Sequence, residues 1–175
     1  TVIGSFITLA HPSIAEIMTM AGFDWLAIDL EHSVITIREA EELIRIIDLA
    51  GVVPLVRLTS NNSDQIKRVM DAGAHGVIVP MVMSADEAKL AVSSVKYPLA
   101  GNRGIGLARA QGYGANFDQY FEWQKENTIV IVQIEHIEAV NDIDAILSVE
   151  GVDGFFIGPN DLSGSMGIPR QLDRK

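Results

Sequence analysis

One unit recurs along this sequence and restricts the fold more than any single residue does: an amphipathic helix, a Gly turn, a short apolar strand, then polar side chains. Its clearest copies span 21–29, 72–80 and 150–158. The glycine in each, Gly22, Gly73 or Gly151, stands where a helix ends, because the left-handed conformation needed there costs glycine nothing. Helix starts are equally legible. Thr36 with Glu39 and Ser84 with Glu87 have the spacing of a capping box, in which hydroxyl and carboxylate satisfy first-turn amides. Ile14, Ile17, Met18 and Ala21 line one helical face, as do Leu43, Ile44 and Ile47, and then Ile66, Val69 and Met70. Each stripe suits a helix laid over a sheet.

Six strands are expected near 3–9, 25–30, 53–58, 76–80, 129–135 and 154–157. Continuous apolar runs rich in Val and Ile are the mark of parallel strands buried on both faces. Alternating β and α units leave an open doubly wound sheet or a closed barrel, and the polar residues decide between them. Asp29, Glu31 and His32 follow the second strand, Arg57 ends the third, Gln133 and Glu135 end the fifth, and Asn160 and Asp161 follow the sixth. An open sheet gathers its ligand at one crevice, whereas a barrel draws side chains from the carboxyl ends of many strands. The expected fold is therefore an α/β (β/α)8 TIM barrel. Such a barrel takes about 250 residues, and the sixth strand and its loop bring the reading to Lys175. Residues 1–175 are expected to form a single barrel domain holding about the first six β/α units, incomplete at its C-terminus.

Charge and composition exclude whole classes of function. With 13 Lys and Arg against 23 Asp and Glu the formal charge is −10, so nucleic acid and anionic membrane surfaces are repelled. No apolar run approaches the roughly 20 residues of a membrane helix, and the first residues show no leader pattern. Cysteine is absent, which removes thiolate chemistry and suits the cytoplasm. The expected partners are small molecules, with neither nucleic acid nor membrane.

Several residues could carry chemistry. Glu135 and Asp161 would project from the carboxyl ends of adjacent strands, and two carboxylates completed by water and substrate oxygens suit Mg²⁺ or Mn²⁺. Read singly, Glu135 could instead cap the following helix and Asp161 a turn with Ser163. His32 stands at the mouth beside two acids, where imidazole can exchange protons near neutral pH. Arg57 would place a planar guanidinium among inward-facing acids, suited to a carboxylate or enolate oxygen or to pairing with Asp29 or Glu31. His75 is expected to be structural, and His11 and His136 to mark helix entries. The glycine-rich stretch 102–106 reads as a mouth loop. None of the five lysines, Lys67, Lys89, Lys96, Lys125 and Lys175, ends an expected strand, so an imine-forming aldolase is the poorer fit.

Stretch 22–32, with Asp29, Glu31 and His32, resembles the HpcH/HpaI aldolase family. So do Val56-Arg57, Val79-Pro80-Met81-Val82, Arg103-Gly104-Ile105-Gly106, Val132-Gln133-Ile134-Glu135 and Gly158-Pro159-Asn160-Asp161-Leu162-Ser163. The likeness runs in order from Thr1 to about Ile168. It implies a divalent-metal pyruvate aldolase of the 2-keto-3-deoxy sugar acid or 4-hydroxy-2-oxoheptanedioate type, cleaving a 4-hydroxy-2-oxoacid to pyruvate and an aldehyde. Glu135 and Asp161 would bind the metal, Mg²⁺, Mn²⁺ or another such as Co²⁺. Arg57 would hold the enolate oxygen beside Gln133, and the backbone around Asn160 and Asp161 would receive the carboxylate. His32 would be the base and Asp71 the acid that orients it, a role resting on the resemblance alone. A homohexamer with neighbouring subunits closing the site is also implied. Oxaloacetate decarboxylation through the same enolate, or an anionic-metabolite-binding barrel without catalysis, are the alternatives.

Overall fold

A computed structural model describes residues 1–172 of the chain. The last three positions of the expected domain, Lys175 among them, lie outside these residues. Six strands, β1 (Gly4–Ile7), β2 (Trp25–Asp29), β3 (Val53–Arg57), β4 (Gly76–Val79), β5 (Ile129–Ile134) and β6 (Gly154–Ile157), pair in chain order and all in parallel. Between them run α1 (Pro12–Met20), α2 (Ile37–Leu49), α3 (Ser63–Asp71), α4 (Ala85–Val95), α5 (Phe117–Asn127), α6 (Ile137–Asn141) and α7 (Ile143–Leu147), and α8 (Pro159–Ser165) follows β6. The first strand is shorter than expected, since Leu9 is exposed and the chain turns at His11 to cap α1. A short 3₁₀ segment, Arg109–Gly114, and α5 together make the β4–β5 crossover longer than the others.

Local chemistry explains these boundaries. Gly22, Gly73 and Gly151 all have positive φ, as required of a residue reversing out of a helix. Thr36 and Glu39 form the complete capping box, with the Thr36 amide donating to Glu39 Oε2 at 2.7 Å. At α4 the box is only half formed. Ser84 accepts from the Glu87 amide, but the Glu87 carboxylate accepts from the Met83 amide instead.

Period-2 alternation divides the apolar residues between two cores. Outward-facing Leu26, Ile28, Val56, Val77, Val79, Val130 and Val132 pack against Leu43, Ile44, Ile47, Ile66, Val69 and Met70 of the helices. Each such side chain contributes about 1.5–3 kcal/mol by leaving water. Inward-facing Ala27, Leu55 and Ile78 form a second, smaller cluster with Phe6, Trp25, Val53, Ile129 and Ile131. The sheet curls around this cluster. Phe6 of β1 and Phe156 of β6 stand at opposite ends of the strand order, yet their ring centroids are 6.2 Å apart.

Candidate active site

The alternation that puts Ala27, Leu55 and Ile131 inside also puts Asp29, Arg57 and Gln133 inside, two residues further along each strand. Glu31 and Glu135 continue the same parity into the loops. Polar residues therefore form the layer above the inner apolar cluster, at the carboxyl ends of the strands.

Asp29 and Arg57 are register partners in neighbouring strands. The guanidinium grips the carboxylate with both arms, Nε to Oδ1 at 2.9 Å and Nη2 to Oδ2 at 2.7 Å, and lies 4.9 Å over the Phe6 ring. Burial works against the Asp29 charge, but the Arg57 hydrogen bonds, joined by the His32 and Glu31 amides, prevail and hold its carboxyl below the usual range. Hydrogen bonding to Asp29, opposed by burial, raises Arg57 further above its ordinary value. The expected ion pair thus exists, with Glu31 Oε2 a further 3.5 Å neighbour of Nε. Nη1 makes no hydrogen bond among the described residues, so the pair anchors Arg57 and leaves one donor edge for a ligand.

Glu135 is 4% exposed and has no cationic partner within ion-pair distance among the described residues. Neutral donors hold it instead: Gln133 Nε2 reaches both carboxylate oxygens at 3.0 and 2.9 Å, and the Met81 amide reaches Oε1 at 2.7 Å. Met81 adopts positive φ, an uncommon conformation for a side-chain-bearing residue, and it is this backbone that supplies the donor. Gln133 Oε1 is buried without a partner among the described residues. Burial, and next the charge of Glu135, push the Glu31 carboxyl above its ordinary value, Arg57 only partly opposing them. Three carboxylates, Asp29, Glu31 and Glu135, thus share one permanent cation, and an acceptor stands empty beside them. Such a layer attracts a further cation.

His32 follows on the loop, its side chain 63% exposed and Nε2 3.8 Å from Glu31 Oε1. Asn160 and Asp161 occupy the first turn of α8 and are both exposed. Gly158 brings that turn against Glu135, since a Cβ there would overlap the Glu135 carboxylate. Neither capping alternative holds. His136 caps α6 while Glu135 turns to Gln133 and Met81, and Ser163 donates to the Asn160 carbonyl. Among the described residues no three His, Asp or Glu side chains cluster as a metal cage. A metal here would rest on two carboxylates, with the buried Gln133 Oε1 nearby and the remaining positions filled by water and substrate, a set acceptable to a hard divalent cation.

Asp71 stands apart from this layer within the chain. It ends α3 just before β4 begins, and in a parallel sheet that is the end opposite His32. There it lies 4.0 Å from Arg103 Nε, burial raising its carboxyl against the pull of Arg103 and Lys67. Within one chain it does not orient His32. Arg103 itself overturns the mouth-loop reading of 102–106: it is 2% exposed, stacks 3.9 Å over Tyr97 and donates to the Val95 carbonyl and Tyr120 hydroxyl. Sequence reasoning also missed Met81 and Gly158, whose contributions are a backbone donor and an absent side chain. Glu31 was legible, because it keeps the inward parity of Asp29, and it lies beside Arg57 as one of the two expected partners.

Comparison with known proteins identifies the family and the fold. The family described as HpcH/HpaI aldolase/citrate lyase matches residues 2–175. Hydroxypyruvate/pyruvate aldolase of Sagittula stellata is 41% identical over 97% of this chain and 67% of its own length. 2-Keto-3-deoxy-L-rhamnonate aldolase of Salmonella gallinarum is 40% identical over 97% of this chain and 64% of its own. The chain thus spans about two-thirds of the length of these relatives. The crystal structure of an HpcH/HpaI aldolase from Desulfitobacterium hafniense superposes with a TM-score of 0.89 at 35% identity, covering 99% of this chain and 68% of that one. No helix among the described residues is long and apolar enough to cross a membrane.

Proposed function

Because the chain belongs to the HpcH/HpaI aldolase/citrate lyase family, we propose that it supplies the catalytic layer of a divalent-metal pyruvate aldolase, a carbon–carbon lyase acting reversibly on a 4-hydroxy-2-oxoacid. The observation that carries this reading is Glu135, a buried carboxylate with no cation of its own, set beside the unpartnered Gln133 Oε1. Glu135 and Asp161 would hold Mg²⁺, Mn²⁺ or a similar ion, which when bound supplies a Lewis acid for the substrate's keto and carboxylate oxygens.

The chain's own residues divide the remaining work. His32 takes the proton from the 4-hydroxyl, the C3–C4 bond breaks, and its electron pair passes into the pyruvyl fragment as an enolate while the aldehyde leaves; a proton from solvent then reaches C3 to give pyruvate. Arg57, held by Asp29, presents Nη1 to the enolate oxygen, where negative charge develops. In the aldol direction His32 returns the proton to the new alkoxide. Gln133 stands beside Arg57, and the backbone around Asn160 and Asp161 would receive the carboxylate end.

Assembly as a homo-oligomer, a hexamer by family resemblance, belongs to this proposal. Asp71 could then assist His32 only from a neighbouring copy, because its own chain holds it at the far end of the sheet. Mixing His32→Asn with Asp71→Asn chains should restore part of the activity that each lacks alone.

The reading as a whole is tested by pyruvate deuterium exchange followed by NMR. Exchange should vanish on chelation and return with added metal. Exchange that survives chelation, or a covalent adduct trapped by borohydride with pyruvate, would overturn it.

A further inference from the structure

We propose that the protein carries a second, non-catalytic binding site at the amino end of the sheet, a cavity that takes a neutral planar heteroaromatic ring with a hydrogen-bond donor and an acceptor on one edge. The cavity has a volume of about 470 Å³, within the range of small-molecule sites, roughly 300–1,000 Å³. Four elements build it: the end of α2 with Asp48, the turn before β4 with Gly73 and His75, the 3₁₀ segment with Arg109 and Tyr113, and α5 with Gln119 and Trp123. Gly73 makes room for the arrangement, because a Cβ there would overlap Arg109 Nη1. None of these residues belongs to the layer around Arg57 and Glu135, so the proposal does not rest on the aldolase reading.

The lining determines what can enter. Its one carboxylate, Asp48, and its one guanidinium, Arg109, are paired with each other at 2.7 Å. Arg109 Nη1 also donates to the Ala72 carbonyl at 3.2 Å, and His75 Nε2 faces the Asp48 carboxylate at 3.1 Å. An anion would find no unpaired cation there and a cation no unpaired carboxylate, and charge taken from water without a counter-ion is costly. The occupant is therefore neutral. Its flatness follows from the aromatic walls. Trp123 stacks on Tyr120 with centroids 5.6 Å apart and meets the His75 ring at 4.8 Å, which fixes its plane while the residue stays partly exposed. Tyr113 stands at the mouth, 68% exposed, with a φ of 56°. A side-chain-bearing residue keeps that backbone only where its surroundings impose it, and such positions cluster at ligand clamps. Tyr113 and Trp123 thus offer rings to a flat apolar body. Asn116 and Gln119 read its edge. Both side chains are exposed at the cavity and make no hydrogen bond among the described residues. Each primary amide presents a donor and an acceptor, which a ring carboxamide or a nucleobase edge matches and a plain hydrocarbon does not.

The test uses full-length protein and two probes that differ only at the edge, quinoline-3-carboxamide and quinoline-3-carboxylate, read by saturation-transfer NMR and calorimetry. The carboxamide should bind saturably and about tenfold or more tighter than the carboxylate, the scale of discrimination that an unpaired charge produces. Gln119→Ala, a change at an exposed position, should weaken carboxamide binding about fivefold, the worth of one hydrogen bond. Trp123→Leu should weaken it about tenfold by removing an aromatic wall. Thermal melts of both variants separate lost binding from lost fold, and Gln119→Ala decides alone if Trp123→Leu melts early. Ser60→Ala, in the loop after β3 at the other end of the sheet, should change nothing, and saturating pyruvate with metal should not displace the probe. Absence of saturable carboxamide binding, equal or tighter binding of the carboxylate, unchanged affinity in Gln119→Ala, or displacement by pyruvate would each overturn the proposal.

Discussion

The two ends of this sheet carry the same residue types arranged to opposite effect. At the amino end of the strands, Asp48 accepts from Arg109 at 2.7 Å and faces His75 Nε2 at 3.1 Å, and His75 packs edge-on against Trp123 at 4.8 Å. Hydrogen bonding from His75, and then from Arg109, keeps the Asp48 carboxyl below the usual range, burial notwithstanding. The Asp48 charge there has its counterpart in Arg109. At the carboxyl end, Asp29, Glu31 and Glu135 share Arg57 as their one permanent cation among the described residues, and there Gln133 Oε1 has no partner. Buried polar groups are ordinarily satisfied, so the end left in electrostatic deficit is the one built to be completed by something else. An Asp–Arg–His grouping is thus no mark of a site by itself. The unfilled valence of the grouping is.

That contrast can be attacked directly, beginning with the largest effect. His32→Asn should lower aldol cleavage about 10²–10⁴-fold, the range for a positioned acid–base group, whereas His75→Asn should leave kcat within about twofold. Equal losses from the two changes would erase the distinction between the ends. Arg57→Lys should reduce pyruvate deuterium exchange by about 10²–10³-fold, because an ammonium group cannot both grip Asp29 and offer a preorganised donor to an enolate. Arg109→Lys should leave exchange nearly intact, and NMR rates for the two variants decide the matter.

Stability gives smaller and subtler tests. Asp29→Asn should cost about 2–4 kcal/mol at neutral pH by stranding a buried guanidinium, measured by urea unfolding. The folded Asp29 carboxyl is held below its ordinary value of 3.8, so its contribution is present above that pH and is lost as pH falls through the lower folded value. The wild-type advantage over Asp29→Asn should therefore shrink below about pH 4. An advantage that grew on acidification would reverse the assigned shift. Asp48→Asn, at a half-exposed cluster, should cost only about 1 kcal/mol, with the same pH direction.

Sequence revealed the strands because their burial on both faces leaves continuous Val and Ile runs, and it revealed Arg57, Gln133 and Glu135 because a charged or amide side chain ending such a run has few other reasons to be there. Helix ends were equally open to reading at Thr36 and Gly73, where local chemistry alone dictates the turn. The failures share a different cause. Asp71 lies at a helix end and Arg103 in a loop, and their environments are made by other elements folding onto them, Tyr97 and Tyr120 in the case of Arg103. Nothing local distinguishes a buried loop arginine from a solvated one. Met81 was invisible because what matters there is an amide that every residue other than proline possesses.

Gly158 carries a consequence for how this protein could change over generations. Its hydrogen faces the Glu135 side chain, and a Cβ in its place would lie 2.4 Å from Oε2 and 2.7 Å from Cβ of that residue. The position has no side-chain group to donate, accept or ionise, yet even alanine there would crowd the carboxylate on which the proposed chemistry depends. In a saturation mutagenesis survey selecting for activity, the tolerance profile of this inert residue should mirror that of Glu135 itself. A lineage drifting toward a new reaction would meet at Gly158 a steric veto as strict as any imposed by the reacting groups.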